Sequence, residues 1–379
     1  MDFNFKEEQL AFADALKRWV TKDYHFETRK QIVHSPAGVS DLAWATLTEL
    51  GMLALPVPEA QGGFSGSAVD MFVVMQELGR GLVVEPYLAT VMGAHALSLG
   101  GAHPQLLEQV AAGTLKLACA FAERQARHDL SDIATSARAD GDGYVLNGAK
   151  SVVLHGAQAG MLIVSARSSG AQRSTDGVSL FVVACDAPGV GITDFRTLDG
   201  QRAANVSLGD VRVPATALVG APGAGWDVLD AVADYGAGLL CAEALGAMEA
   251  IFAATLDYLK TRSQFGAPIG KFQALQHRMA DMYIHLEQAR SMALLAAVKL
   301  GSNDVAERRR TVSAAKFRIG QALKFVGQQA VQLHGGMGVT DELPAAYHFK
   351  RLTMIELTLG DADHHLQRFI AQPGFAEVA

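Results

Sequence analysis

The chain has 379 residues, half of them apolar and 19% charged, which is enough for two or three domains with ordinary cores. A formal charge of -7 gives no electrostatic case for a nucleic acid or an anionic membrane as partner, because those need a clustered positive field, and it points to an ordinary soluble enzyme or subunit. Cys119, Cys185 and Cys241 are odd in number, far apart and set in apolar stretches, so they support neither a disulfide framework nor a CxxC metal site.

The N-terminal stretch MDFNFKEEQLAFADALKRWV mixes acids into an amphipathic pattern and reads as a first helix, not a signal peptide. No stretch reads as the roughly 18 to 20 apolar residues of a membrane span, and the expected location is the cytoplasm. Helical spacing continues through DLAWATLTELGML and VDMFVVMQELGRGL, with PVPEAQGGFSGS as the break between them. Residues 1–116 are therefore predicted to be an N-terminal helical bundle.

From 117 the character changes. DGDGYVLNGAK, GMLIVSAR, VSLFVVAC and AANVSLGDVRVPA read as strands separated by glycine-rich turns, so residues 117–222 are predicted to form a middle antiparallel β domain that Pro214 helps to close. Three long apolar-striped helices follow in LLCAEALGAMEAIFAATLDYLKTR, FQALQHRMADMYIHLEQARSMALLAAVKL and ERRRTVSAAKFRIGQALKFVGQQAVQL. Residues 223–379 are predicted to be a C-terminal four-helix bundle, and the whole chain is an α+β protein.

Several motifs invite chemistry. GAPGAGW at 220–226 is glycine-rich but lacks the third glycine of a dinucleotide fingerprint and the Lys-Ser/Thr of a P-loop, so it reads as a loop from sheet to helix. DADHHLQR at 361–368 places carboxylates and imidazoles together, yet adjacent His364 and His365 point about 100° apart on a helix, and no metal site is expected. His334 in QLHGGMG reads as a packed histidine beside a glycine turn. KTRSQFGAPIGKFQ, from 260, is more telling, because it sets Arg262 and Phe265 in a turn richer in breakers than a plain connection needs. A guanidinium next to a ring suits a pyrophosphate or adenosine, although a solvated Arg and a core Phe in a helical hairpin fit the same letters. Gly335 and Gly336, after the next helix, permit close approach of backbone to a ligand, and two such helix ends converging favours a cofactor.

At these residues the sequence resembles the acyl-CoA dehydrogenase family. Its Arg-x-x-Phe-Gly element matches Arg262, Phe265 and Gly266, its Phe-Gln matches Phe272 and Gln273, and its Gln-x-x-Gly-Gly-x-Gly matches Gln332, Gly335, Gly336 and Gly338. ELGMLALPVPEAQGG and LDGQRAANVSLGDVRVPATALVG are similar to the family's first-domain loop and to the exit from its middle sheet. Within the family the likeness is to the small subunit of a two-subunit enzyme, pimeloyl-CoA dehydrogenase. The resemblance implies α,β-desaturation of an acyl-CoA thioester: a Glu takes the α-proton, FAD takes the β-hydride, and an electron-transfer flavoprotein reoxidises the flavin. It also implies that Arg262, Phe265, Gln273, Gln332, Gly335 and Gly336 grip the FAD of a neighbouring subunit.

The resemblance has gaps. Counting forward from Gln332 sets the family's Glu-Gly-Thr on Leu359, Gly360 and Asp361, whereas counting back from Arg368 sets Asp361 at the position of the base; an alternative base site on the earlier helix falls on Gly236. The loop that touches flavin and substrate in the family is AERQARHD here, keeping Glu123 and Asp129, and the Trp-Ile-Thr-Asn strand is VVLH at 152–155. Three readings follow: a small subunit complementing a large acyl-CoA dehydrogenase partner, a self-sufficient enzyme with Asp361 as base, and a flavin-free acyl-CoA-binding homologue.

Overall fold

In the computed structural model, residues 5–101 and 103–373 are described. Helices α1 (Glu7–Lys22), α2 (Phe26–His34), α3 (Asp41–Glu49), α4 (Ala68–Arg80), α5 (Tyr87–Gly100) and α6 (Pro104–Ala111) come first. Strands β1 (Leu117–Ala120), β2 (Ser136–Asp140), β3 (Gly143–Leu154), β4 (Met161–Arg167), β5 (Val178–Ala184), β6 (Val190–Arg196), β7 (Arg202–Pro214) and β8 (Leu218–Val219) follow. After α7 (Trp226–Thr261) come the short strands β9 (Ser263–Gln264) and β10 (Ala267–Pro268), then α8 (Gln273–Lys299), α9 (Val305–His334), α10 (Pro344–Leu357) and α11 (Ala362–Ile370). Two compact units result. One is built from the segments up to Gln31, Ala68–Val83 and Ala237 onward, the other from Ile32–Ser67 and Val84–Gly236.

The second unit carries the sheet, in the order β6-β7-β3-β2-β4-β5-β8, with β1 beside β4. It is mostly antiparallel, as the strand pattern implies, but β1 runs parallel to β4, with Leu117 opposite Met161. Alternating residues such as Leu146, Val164, Phe181 and Val206 supply its core. Strand β3 bulges where Ser151 and Val152 oppose Asn205, and Val152 there takes φ 52°, an uncommon backbone for a β-branched residue. The GAPGAGW loop is an ordinary connection, because its amides are occupied: Gly225 N–H donates to Val178 O at 2.7 Å and Gly223 N–H to Ser179 Oγ at 2.8 Å.

In the first unit, α7 from Ala237 onward and α8 to α11 form the C-terminal bundle. Asp304 caps α9 through the Ala306 and Glu307 amides, and Pro344 occupies the first turn of α10, where its missing N–H costs nothing. Arg351 on α10 donates to both Glu243 oxygens on α7 at 2.6 and 2.8 Å, and both side chains are buried. Glu249 on α7 ties α4 and α8 together through Arg80 and Arg290, each at 2.5 Å. One expectation needs correction: α7 is long and apolar enough, by length and composition, to cross a membrane. Its apolar window is 67% buried within the structure, as in the core helix of a globular bundle.

Candidate active site

The stretch from Arg262 to Gln273 folds as a two-residue hairpin. Ser263 and Gln264 pair with Pro268 and Ala267, and the turn residues Phe265 and Gly266 both take positive φ, 52° and 76°. Positive φ at both central positions is the mirror-image turn that usually recruits Asn-Gly, so an aromatic in the first place is strained. Phe265 is 92% exposed, and its ring stands edge to face with that of Phe272, centroids 6.1 Å apart. The Ile269 N–H donates to Arg262 O at 2.8 Å, which fixes the stem.

The ends of three helices meet here. Tyr258, in the last turn of α7, packs on His334 at the end of α9 with ring centroids 4.5 Å apart. Arg278, near the start of α8, donates to Gln329 on α9 at 2.6 Å. Arg262, Phe265, Gln273, Gln332, Gly335 and Gly336 are therefore gathered at one end of the bundle, and all six are exposed. Among the described residues the side chains of Arg262, Gln273 and Gln332 have no hydrogen-bonding partner. A Cβ added at Gly335 or Gly336 would meet nothing within 4 Å, so the cradle opens outward. Exposed Lys260, Lys271 and Arg278 add positive charge around Arg262, partly balanced by Asp257 and Asp281. Exposed cations, an exposed ring and open glycines suit an anionic dinucleotide supplied from outside this unit. His334 is buried with Nδ1 at 2.8 Å from Ala330 O, the packed histidine its setting implied.

The candidate base lies elsewhere in the same unit. Asp361 is half-buried and stands at the N-cap of α11, where its Oδ1 accepts from the His364 amide at 2.8 Å. Leu359, two residues before it, is held at φ 56° and Gly360 at φ 102°. Glu356, a buried carboxylate that sequence reasoning passed over, accepts from the Ala362 amide and pairs with Lys324 at 2.8 Å. Lys316 was missed as well. It sits among apolar residues in SAAKFRIG, a placement that signals a buried amine, and donates to the carbonyls of Ile355, Glu356 and Gly360. Gly236, the alternative base position, is buried in α7 and carries no functional group.

Glu123 turns out to be structural. Its carboxylate is buried 2.7 Å from the Lys150 ammonium and accepts from the Ala134 and Thr135 amides at 2.8 and 3.1 Å. Burial pushes this carboxyl upward, but Lys150 and the hydrogen bonds outweigh it and hold the group at about 2. Burial in turn lowers the Lys150 amine to about 8, against the pull of Glu123. Asp129 folds its own turn, accepting from the Ser131 amide and hydroxyl at 3.0 and 2.6 Å. His364 and His365 stand edge to face, and the described residues contain no group of three His, Cys, Asp or Glu placed to hold a metal ion.

Comparison with known proteins places the whole chain. Residues 6–111, 118–212 and 223–372 match the N-terminal, middle and C-terminal domain models of acyl-CoA dehydrogenase, and the chain belongs to that family. It is 30% identical over 381 residues to the probable acyl-CoA dehydrogenase YngJ of Bacillus subtilis, covering 98% of each chain. It is 32% identical to the bovine mitochondrial short-chain specific acyl-CoA dehydrogenase, over 85% of this chain and 79% of the relative. Among solved structures it is similar to the ChsE4-ChsE5 complex of Mycobacterium tuberculosis, with a TM-score of 0.87, 26% identity and 97% of each chain covered. The protein is thus an oxidoreductase of the acyl-CoA dehydrogenase class, whose cofactor is FAD.

Proposed function

We propose that this chain is the small, FAD-complementing subunit of a heteromeric acyl-CoA dehydrogenase. One contrast carries the reading: the face that would grip a neighbour's FAD is exposed and free, whereas the carboxylate in line to serve as base is engaged as a helix cap. In this role Arg262 forks onto phosphate oxygens, Phe265 and Phe272 offer rings to the adenosine, and Gln273 and Gln332 supply directional hydrogen bonds. Gly335 and Gly336 let backbone approach closely where a Cβ would intervene. The bound flavin supplies the hydride acceptor, and this chain supplies orientation and counter-charge. The likeness to a complex of two named components, ChsE4-ChsE5, supports an assembly of unlike subunits. The resemblance read in the sequence, to the small subunit of pimeloyl-CoA dehydrogenase, would make a dicarboxylic acyl-CoA the substrate, an electron-transfer flavoprotein the acceptor and the cytoplasm the location. Domains at 1–116, 117–222 and 223–379 complete the assignment.

The test is to purify the chain expressed alone, record its visible flavin absorbance, and add medium-chain or dicarboxylic acyl-CoA without oxygen. A colourless protein, or a yellow one that acyl-CoA does not bleach, is the expected result. Bleaching by the lone chain would replace this reading with the self-sufficient enzyme that uses Asp361.

A further inference from the structure

The link from α10 to α11 is held by several side chains at once. Leu359 has a side chain yet takes a left-handed backbone, a conformation that persists only where the surroundings over-determine it. Lys316 reaches from α9 and donates to the Ile355, Gly360 and Glu356 carbonyls at 2.7, 3.0 and 3.2 Å. His365 Nε2 lies 2.9 Å from Leu359 O, and burial, with Lys316 nearby, keeps that imidazole neutral, so Nε2 carries the donated proton. Asp361 and Glu356 bind the first amides of α11, and an added Cβ at Gly360 would come within 2.5 Å of His364 and 2.8 Å of His365.

Lys316 is the unusual member. Its side chain is 2% exposed, and its hydrogen-bond acceptors are all backbone carbonyls. An ammonium has three N–H donors for these three acceptors; a neutral amine has two, and its lone pair then faces a carbonyl oxygen. Around it stand Cys241 on α7, Arg351 and Glu356 on α10, and Asp361 and His365 at the start of α11. Arg351 is paired with Glu243, Lys324 with Glu356, and Arg368 on α11 bonds Ser313 one turn away on α9.

We propose that Lys316 is a positioning residue that acts as a proton-dependent latch on residues 358–361. Charged, it fixes the backbone that presents the Leu359 side chain and the Asp361 cap; on losing its proton it gives up at least one of its three carbonyls and the segment loosens. Burial lowers this amine to about 8, against the raising influence of Cys241, Glu356 and Asp361. Cys241 itself is pushed up to about 12 by burial, so the two titrations are well separated. The latch goes beyond the subunit reading and holds whichever subunit supplies the base.

The test follows the Leu359 methyl resonances of the full-length protein, labelled with ¹³C at leucine methyls, from about pH 6.5 to about 10. The wild type is expected to shift with a single midpoint near 8, accompanied by faster amide exchange at 359–362, while the Leu180 methyls in the sheet stay fixed. Lys316→Met should show the loosened signals at every pH, and Lys316→Arg, which keeps its charge, the held signals throughout. A flat Leu359 titration in the wild type would overturn the proposal even if neither variant folds, and so would an unchanged midpoint in Lys316→Arg.

Discussion

Removing the Lys150 amine tests the electrostatics of the sheet most directly. A carboxyl that ordinarily titrates at 4.5 is held at about 2 in Glu123, which at ~1.36 kcal/mol per pH unit is about 3 kcal/mol of stability near neutrality. The Lys150 amine is lowered from 10.5 to about 8, a cost of similar size below pH 8. The intact pair is therefore worth little against the unfolded chain, yet each half depends on the other. Lys150→Met leaves a buried carboxylate with two amides and Gln125 for company, and should cost about 3–5 kcal/mol in urea unfolding followed by tryptophan fluorescence at about pH 7. Glu123→Gln combined with Lys150→Met should recover most of that loss, because no charge is then stranded. The sign with pH is also fixed: since folding depresses the Glu123 carboxyl, its contribution is complete above 4.5 and disappears as pH falls toward 2. A Lys150→Met cost below about 1 kcal/mol, or a double variant as unstable as the single one, would refute the argument.

Other substitutions separate grip from chemistry. Arg262→Ala should leave the fold intact and weaken FAD retention by the assembled enzyme by about 1.5–3 kcal/mol, read by flavin dissociation during gel filtration. Asp361→Asn preserves the cap, so activity of the assembly should change by less than about twofold, whereas Asp361→Ala should lose ~1 kcal/mol of stability; a collapse in rate with Asn would make Asp361 the base. Phe265→Asn should stabilise the isolated chain by ~1 kcal/mol, because Asn tolerates the left-handed turn, while reducing flavin retention. Arg351→Met strands the buried Glu243 and should cost about 3–5 kcal/mol by thermal melting, more than any surface pair.

Much of this was readable in the letters, for definite reasons. The long helices α8 and α9 announce themselves through sustained apolar stripes, and Pro214 marks an end by a local rule that needs no tertiary context. The hairpin could be singled out because Arg262 and Phe265 are unusual residues to place in a plain turn. Strand β1 has four residues, too few for an alternation to register, and the pairing that makes it a strand is made with the distant strand β4. Glu123 looked like a remnant of a ligand loop, because nothing local reveals a lysine 27 residues away. The structural roles of Lys316 and Asp361 were hidden for a related reason. A cap and a carbonyl clamp depend on where one helix stops and the next begins, which sequence spacing leaves open by several residues.

The hairpin at Phe265 also bears on how the protein must be handled by the cell that makes it. An aromatic ring held in water by a strained turn, beside exposed Phe272, is a sticky tip on any copy that has not found its counterpart. Under the subunit reading, surplus chains would sooner cling to one another than remain dispersed, so synthesis of the two subunits in matched amounts becomes a condition of solubility. Overexpression without the partner should accordingly raise the share of the chain lost to aggregates, and co-expression should lower it.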